Sequence, residues 1–451
     1  MKEGIQQAAQ SVRRETARPT VSTILPDGTF VEMLHRPAER RTLFCVAAEG
    51  KLRYETSLVV DGERLVPYSA KNNLLTNQVV LLPSEPVEYG SVDELVAEIE
   101  AFIHRYVDVT PLFERIAACY VLLSWVYDAF NELPYLRLRG DPGSGKTRFL
   151  LTVGSLCYKP IFASGASSVS PLFRILDAFR GTLVIDEGDF RLSDERAEII
   201  KILNNGNARG FPVLRTEMTS QREFNPTAYA VFGPKLIATR GFFQDRALES
   251  RCLTEEMDQA RLREDIPINL SGNHKEEALI LRNKLLLFRI RNHGRSRPTE
   301  DLVDRSIEPR LSQVFVPLLA IVEDPKTRAD LRNLARSYNR DLIAERGTDV
   351  EAQVLEVIRD ILASAQGNPS VKDIASWFAD RHGDDYERAI SPRWIGSIIR
   401  KRLRLKTQKS HGVFVVPISE QPKLSGLFEK YGVEPQAPAE SESTSPGSAA
   451  G

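Results

Sequence analysis

Hydrophobic and polar positions change their pattern several times along the chain, and each change predicts a different kind of element. Between residues 21 and 83, short runs rich in Val, Leu, Thr and Phe alternate with turn signals such as Pro-Asp-Gly at 26–28. This alternation predicts a small β-rich domain over residues 21–90. Residues 1–20 are polar and lack such runs, so we expect them to be disordered.

A helical pattern follows, and after it strands and helices alternate. Ser91 and Glu94 have the spacing of a capping box, and the apolar residues that follow them have helical spacing. This pattern predicts a helical linker over residues 91–133. Residues 134–254 contain the strand-like runs YLRLR, KPIFA, TLVID and PKLIAT, separated by helical or irregular segments. Strands that alternate with helices favour a parallel sheet, so we predict an α/β core here.

The remainder of the chain is mainly helical by periodicity. Residues 255–346 are predicted to form an all-α lid, with helices at 255–265, 275–292, 308–322 and 326–345. A compact unit follows over residues 349–418. The composition of residues 434–451, EPQAPAESESTSPGSAAG, is typical of a disordered acidic tail.

Composition and charge exclude several classes of protein. Apolar residues make up 42% and charged residues 27% of the 451 residues, which is typical of globular domains and unlike fibrous repeats. The longest uncharged apolar stretch, residues 116–127, is too short to span a bilayer, and the first residues lack the apolar core of a secretory signal. We therefore expect a cytoplasmic protein without membrane contact. Because the net charge is −1, a nucleic-acid site has to be a local concentration of basic residues.

The most informative motif lies at the start of the α/β core. Residues 140–147, GDPGSGKT, match the pattern GxxxxGK[ST] directly after the strand-like YLRLR and before the helical TRFLLTVGSL. In such a loop, backbone N–H groups surround phosphate oxygens, the helix N-terminus adds partial positive charge, and the lysine reaches the β and γ phosphates. The sequence therefore predicts a site for ATP and Mg²⁺, with the hydroxyl of Thr147 as a magnesium ligand. The nucleotide-binding candidates are Gly140, Asp141, Pro142, Gly143, Ser144, Gly145, Lys146 and Thr147.

A second motif supplies carboxylates for hydrolysis. The apolar run LVI at 183–185 ends in Asp186 and Glu187. We expect Asp186 to hold Mg²⁺ through its hydration shell and Glu187 to polarise the attacking water. An apolar strand that ends in Asp-Glu is common in proteins, and its alternative interpretation is a solvated strand end.

Polar and basic residues further along are candidates for contact with the γ-phosphate. The next predicted strand ends in Thr239, which is either a sensor of that phosphate or an ordinary turn residue. Arg251 is the first candidate, and Arg246 the second, for an arginine finger offered to the nucleotide of a neighbouring subunit. The alternative for these arginines is a structural ion pair. Arg310, at the start of a helical run in the lid, is the candidate second sensor.

Together these residues resemble a known family. The order of phosphate-binding loop, Asp-Glu strand, strand-end Thr, arginine finger and helical lid looks like an AAA+ ATPase. GDPGSGKT, IDEGD and ESRC resemble elements of the MCM helicases, particularly the MCM-like helicases of plasmids, phages and other mobile elements. The resemblance covers residues 134–345, with Gly145 and Thr239 standing where MCM proteins usually have Ala and Asn. It implies a homo-oligomer, by expectation a hexamer, that hydrolyses ATP between its subunits.

One candidate for DNA binding lies inside the AAA+ region. Extended runs at 211–218 and 223–230 flank a polar turn at 219–222, which is typical of a hairpin. In the helicases that the chain resembles, a hairpin at this point projects into the central pore of the ring. The residues expected to follow the backbone of single-stranded DNA are Arg209, Arg215 and Arg222. The alternative is a surface hairpin with ordinary charges, or arginines that face a subunit interface.

A second candidate is the unit at 349–418, whose pattern predicts a winged helix-turn-helix. Its third helix starts at the cap Ser391, and Ile395, Ile398 and Ile399 share one face of that helix. A turn at 409–412 and the strand VFVVPI would form the wing. The basic residues expected to contact DNA, including duplex DNA, are Arg393, Arg400, Lys401, Arg404 and Lys409. The alternative is a winged helix that contacts protein.

The combined prediction is a multidomain α/β ATPase with an AAA+ P-loop core, a parallel sheet and a helical lid. We expect it to act as an ATP-dependent DNA helicase or translocase in the replication of a mobile element. Two other functions fit the same motifs. One is an AAA+ protein remodeller or loader, and the other is a nucleotide-gated DNA-binding initiator or regulator that does not unwind DNA.

Overall fold

The computed structural model divides into two compact units, with the boundary after Ala335. The residues that the structure describes are 17–165, 167–186, 194–218, 224–243, 245–257, 262–295, 297–347, 349–364, 368–383, 386 and 390–433.

The first unit begins with two small sheets. The strands are β1 (Arg18–Thr20), β2 (Ser22–Ile24), β3 (Phe30–Arg36), β4 (Arg41–Ala48), β5 (Lys51–Glu55), β6 (Leu58–Val60) and β7 (Glu63–Pro67). Strands β2 to β5 form an antiparallel sheet in sequence order, and the second sheet has the order β1-β7-β6. The turn signal at 49–50 joins β4 to β5, where both residues have the positive φ values that a two-residue hairpin requires. The disorder predicted for residues 1–20 is wrong for Arg18–Thr20, because β1 pairs with β7.

Helices connect these sheets to the α/β core. They are α1 (Asn73–Thr76), α2 (Val92–Tyr106) and α3 (Pro111–Trp125). The capping box expected at the start of α2 is present, with Ser91 and Glu94 each accepting a hydrogen bond from the other's backbone N–H. The apolar stretch at 116–127 is explained by α3, which is buried on nearly all sides from Ile116 onward. Within the described residues, we find no helix with the length and apolarity that a membrane crossing requires.

The α/β core is built on a five-stranded parallel sheet, which confirms the predicted sheet type. Its elements are β8 (Tyr135–Arg139), α4 (Lys146–Leu156), β9 (Ile161–Ser164), α5 (Val169–Phe179), β10 (Leu183–Asp186), α6 (Asp194–Asn205), β11 (Val213–Met218), β12 (Phe224–Tyr229), β13 (Lys235–Thr239), α7 (Arg246–Glu249) and β14 (Cys252–Glu256). The strand order is β14-β8-β13-β10-β9, and β11 pairs with β12 in a separate antiparallel hairpin. The strand β13 therefore lies between the strand before the phosphate-binding loop and the strand that ends in Asp186.

Three long helices follow, namely α8 (Gly272–Asn292), α9 (Pro309–Ile321) and α10 (Pro325–Gly347). The helix predicted at 255–265 is wrong. Glu255 and Glu256 instead complete β14, where they pair with Leu138 and Arg139 of β8. Residues 264–265 form a turn, and residues 258–261 lie outside the described residues. Backbone pairing at the sheet edge thus overrides the helical spacing of this charged segment.

The second unit contains helices and a short hairpin. Its elements after α10 are α11 (Val350–Ser364), α12 (Val371–His382), α13 (Pro392–Ser397), β15 (Gln408–Ser410), β16 (Val413–Val415) and α14 (Gln421–Tyr431). One π-helical turn, Ile398–Arg402, continues directly from α13. The sequence analysis assigned no element to α14, which contributes Leu424 to the core of this unit.

A buried ion-pair network joins the first sheet to the helices. The guanidinium of Arg289 in α8 donates to Glu32 of β3 at 2.8 Å and to both carboxylate oxygens of Asp128 at 2.7 Å. The side chains of Arg289 and Glu32 are 2% and 4% exposed, so this pairing compensates charges that water cannot solvate. Burial alone would raise the pKa of Asp128, but Arg289 outweighs that effect and holds the pKa well below its ordinary value.

Replacing Arg289 should therefore be costly. We expect Arg289→Met to lower the free energy of unfolding by about 3–5 kcal/mol, because Glu32 and Asp128 would be left buried without a cation. As a matched control, Arg291→Met breaks an exposed pair with Glu88 and should cost at most about 1 kcal/mol. Urea unfolding at pH 7 measures both values, and equal losses in the two variants would contradict the assignment.

The same network predicts a pH dependence. Because the folded pKa of Asp128 lies below its unfolded value, its contribution to stability is complete above roughly pH 4 and is lost as the pH falls. In Arg289→Met, this part of the acid dependence should disappear. Unfolding curves recorded between pH 7 and pH 3 for both proteins would detect the difference.

Candidate functional site

The phosphate-binding loop lies between the carboxyl end of β8 and the amino end of α4. Gly145 is the N-cap of α4 and has a φ of +95°, a left-handed conformation in which a side chain is strained. A Cβ at Gly140 would lie only 2.6 Å from the carbonyl oxygen of Met257. These two glycines therefore permit both the turn and the close approach of backbone that the loop needs. Asp141, Pro142 and Gly143 are exposed, and Ser144 is half-buried.

Lys146 is held across this loop. Its Nζ donates to the carbonyl oxygens of Gly140 and Asp141, each at 2.6 Å. The ammonium thus lies at the first residue of α4, where the positive end of the helix dipole also favours an anion. The arrangement provides a cation, helix N–H groups and a glycine-rich backbone at one place.

Thr147 and Asp186 meet although 39 positions separate them in the chain. The hydroxyl of Thr147 donates to a carboxylate oxygen of Asp186 at 2.6 Å. Oxygen ligands of these two kinds, one carboxylate and one hydroxyl, are what Mg²⁺ takes from a protein when phosphates and water complete its shell. The donor set therefore fits a magnesium ion. Glu187, the expected catalytic base, lies outside the described residues.

Thr239 ends β13 at the same edge of the sheet. Its side chain is 2% exposed, and its hydroxyl has no hydrogen-bond partner among the described residues. The backbone N–H of Gly140 donates to the carbonyl oxygen of Thr239 at 3.3 Å, so this residue lies directly beside the start of the loop. A buried hydroxyl without a partner costs free energy, which favours a polar group on a ligand as its missing partner.

Arg251 lies at the other end of the strands, where β8 and β14 begin. Its carbonyl oxygen accepts a hydrogen bond from Tyr135, the first residue of β8, whereas the phosphate-binding loop follows the last residue of that strand. Four residue steps in a strand span roughly 13 Å. The backbone of Arg251 is therefore separated from the start of the loop of its own chain by about the length of β8.

Arg310 lies next to Arg251. Both arginines line a cavity of about 280 Å³, together with Asn204, Asn205 and Phe211. Burial and the positive charge of Arg310 lower the pKa of Arg251. Two neighbouring guanidinium groups are suited to an anionic ligand, and Glu132 is the carboxylate among the residues that the structure places on this lining. The side chain of Arg246 lies outside the part of the chain that the structure describes.

Asn204 is a residue of this region that the sequence analysis missed. Its amide group accepts a hydrogen bond from Arg251 and donates one to Asp245 at 2.6 Å. Asn204 thereby fixes the orientation of Arg251 from the end of α6. An Asn near the end of a helical pattern carries no signal for this role, because the contact joins residues 47 positions apart.

The hairpin arginines contact their own chain. Arg215 on β11 forms two hydrogen bonds with Glu198 and lies over the ring of Phe173. Arg209 precedes the hairpin and donates to the carbonyl oxygens of Phe130 and Asp128. Both contacts agree with the alternative of ordinary structural arginines. Arg222 lies outside the described residues.

The basic residues of the second unit are presented outward. Ile395, Ile398 and Ile399 are at most 3% exposed, as the apolar face predicted. The residues predicted to contact DNA are all exposed, namely Arg393, Arg400, Lys401, Arg404 and Lys409. Arg404 adopts a positive φ of 55° where the helical segment ends, and the guanidinium of Arg400 lies 6.0 Å from the ring of Phe414 on β16. Arg402, which the prediction omitted, pairs with Glu351.

Comparisons with known proteins give distant structural similarity only. No family model and no curated protein sequence matches the chain. Among solved structures, the chain is similar to one described as an active helicase, Cch of SCCmec type IV, with 12% identity, a TM-score of 0.42, and coverage of 94% of this chain and 84% of that one. It is also similar to the C-terminal region of NrS-1, with 11% identity, a TM-score of 0.34, and coverage of 86% and 96%. A third similar structure is the Orc1 protein of Aeropyrum pernix in complex with DNA, with 13% identity, a TM-score of 0.20, and coverage of 72% and 94%.

Proposed function

We propose that the protein is an AAA+ ATPase that hydrolyses Mg-ATP and acts on DNA as a helicase or translocase. The observation that carries the ATPase part is the contact between Thr147 and Asp186 at the end of a loop of the GxxxxGK[ST] type. It unites a phosphate-binding loop with a magnesium-binding carboxylate at one edge of a parallel sheet, where α/β proteins bind their ligands.

Each residue of this edge has a distinct task. Lys146 and the first N–H groups of α4 bind the β and γ phosphates. Thr147 and Asp186 would hold Mg²⁺, which would supply positive charge beside the phosphates. Glu187 orients and polarises the attacking water, and the hydroxyl of Thr239 contacts the γ-phosphate.

The remaining cations are supplied by a neighbour. Because Arg251 and Arg310 lie at the edge opposite the phosphate-binding loop, they act on the nucleotide of an adjacent subunit. Arg246 is the second candidate for the finger. This division of the site between chains requires a homo-oligomer. In a closed ring, by expectation a hexamer, every subunit has a neighbour on both sides, so every site is complete.

DNA contacts are assigned to two places. The exposed basic face around Arg400 and Lys401, acting as a winged helix, binds duplex DNA through its phosphates. The β11-β12 hairpin contacts single-stranded DNA in the pore. The expected role is replication of a mobile element, by an MCM-like motor.

A second function is favoured by the contacts of the hairpin. Because Arg209 and Arg215 bind carbonyl and carboxylate groups of their own chain, fewer cations are free to follow a DNA strand. A DNA-binding initiator that hydrolyses ATP slowly and does not translocate agrees with this observation. Unwinding of a forked duplex distinguishes the two functions, since only a helicase separates the strands.

The first experiment on this function separates binding from chemistry. Lys146→Ala should lose ATP affinity by at least about tenfold, because the lysine contacts phosphate, whereas Glu187→Gln should retain ATP and lose turnover. Binding of a fluorescent ATP analogue and phosphate release measure the two properties. Strand separation on a forked duplex should be lost in both variants. Similar ATP affinities in the two variants would refute the assignment.

A second experiment tests the shared site. A mixture of Arg251→Ala and Lys146→Ala subunits should recover ATPase activity, because some interfaces then combine an intact loop with an intact arginine. Mixing Lys146→Ala with Thr147→Ala is the control and should recover none, since both changes affect the loop. If mixed oligomers form and the first mixture stays inactive, Arg251 is a structural residue.

A third experiment tests the basic face. Changing Arg400, Lys401 and Arg404 together to Ala should reduce the slope of log K against log salt by roughly 2.7 on duplex DNA, or about 0.9 for each lost phosphate contact. Lys372→Ala with Lys430→Ala removes exposed cations from other helices of the same unit and should leave the slope unchanged. Fluorescence anisotropy at several salt concentrations measures it. An unchanged slope in the triple variant would leave this unit as a protein-contact module.

A further inference from the structure

A large cavity lies away from the phosphate-binding loop in the first unit. Its volume is about 1030 Å³, at the upper end of the range for small-molecule sites. One side is formed by α8 and by Leu151 and Ser155 of α4. The other side is formed by α1, the β3-β4 turn and residues 80–82. The nucleotide and DNA sites proposed above use none of these lining residues.

The walls are mostly apolar. Leu75, Leu82, Phe162 and Leu279 contribute side chains to the lining, and Leu151 of α4 lies at a partly exposed position. Such walls bind a hydrocarbon or aromatic body through the area that is removed from water.

Arg282 is the one permanently charged side chain buried in this wall. It is 6% exposed, and its Nη1 donates to the carbonyl oxygen of Ser155 at 2.7 Å. Its Nε has no partner, and no carboxylate of the described residues pairs with it. Burial lowers the pKa of Arg282 to about 10, so the guanidinium stays protonated at pH 7. An unpaired buried cation destabilises a protein unless an anion joins it.

Other polar groups of the lining do not compensate this charge. Burial, with smaller effects from nearby cations, lowers the pKa of His274 to about 4, so that its ring is neutral at pH 7. Arg40, Lys71 and Lys275 are exposed cations on the lining, and Glu276 is the one carboxylate among the residues that the structure places there. The cavity therefore combines apolar walls with a positive potential.

We propose that this cavity binds a small molecule with one carboxylate and an apolar body, of the class of medium-chain fatty acids or arylalkanoic acids. The carboxylate pairs with the guanidinium of Arg282, and the apolar body lies against Leu75, Leu82 and Phe162. The pairing supplies the buried arginine with an anion, and burial of the body supplies the remaining affinity.

Titration calorimetry of the full chain with octanoate and with octan-1-ol tests this proposal. Octanoate should bind one to one, and octan-1-ol at least about tenfold more weakly, because it has the same apolar body without the charge. In Arg282→Met the octanoate affinity should fall to that of octan-1-ol. The same variant should have a higher melting temperature than the wild type without ligand, since it removes an unpaired buried charge.

Two controls separate the buried cation from general electrostatics. Lys275→Met makes the same change in net charge at an exposed position of the lining, and should alter octanoate affinity by no more than about twofold. Arg282→Lys keeps a cation without the planar guanidinium, and its octanoate affinity should lie between those of the wild type and Arg282→Met.

A further pair of variants tests the cavity even if Arg282→Met fails to fold. Leu151→Glu places a carboxylate at the lining and should weaken octanoate binding about tenfold by like-charge repulsion. Ile280→Glu makes the same change on α8 at an exposed position outside the lining, and should have little effect. Equal binding of octanoate and octan-1-ol, no binding of either at millimolar concentration, or octanoate binding that survives both Arg282→Met and Leu151→Glu would overturn the proposal.

Discussion

The parallel register of the five-stranded sheet is the constraint on which the candidate site depends. Parallel strands place all their carboxyl ends at one edge, so the loop after β8, Asp186 at the end of β10 and Thr239 at the end of β13 lie close together. The same register places Arg251 at the other edge, because it precedes β14. A single topology therefore both assembles one half of the proposed ATPase site and separates the other half from it, which is why the proposed function requires a second chain.

Buried cations show three ways in which the fold accommodates charge. Arg289 has two carboxylate partners and joins the first sheet to α8. Lys235 in β13 has no carboxylate partner among the described residues. Its ammonium donates to the carbonyl oxygens of Val231 and Gly233, and burial lowers the pKa of Lys235 to about 7. Arg282 has a single carbonyl partner beside a large cavity. The first two arrangements are explained by the chain itself, whereas the third leaves a charge for which a ligand is the natural partner.

Much of the local structure could be predicted from the sequence, because it depends on neighbouring residues. The helix caps at Ser91 and Ser391, the buried Ile395 and the parallel strands all follow from side-chain spacing and capping chemistry. The prediction failed at 255–265, where charged residues with helical spacing extend a sheet. It also assigned nothing to α14, whose few apolar residues give a weak pattern although Leu424 is part of the core.

By itself, the sequence determined the chemistry of the loop, since the glycines, Lys146 and Thr147 are contiguous and have to lie between a strand and a helix. Only the tertiary structure decided which distant residues meet. Thr147 contacts Asp186, and Arg310 lies beside Arg251. Arg215 pairs with Glu198, and Arg282 lies in the apolar wall of a cavity. The physical reason is that periodicity specifies which face of an element is buried, whereas contacts between remote side chains depend on how the elements pack.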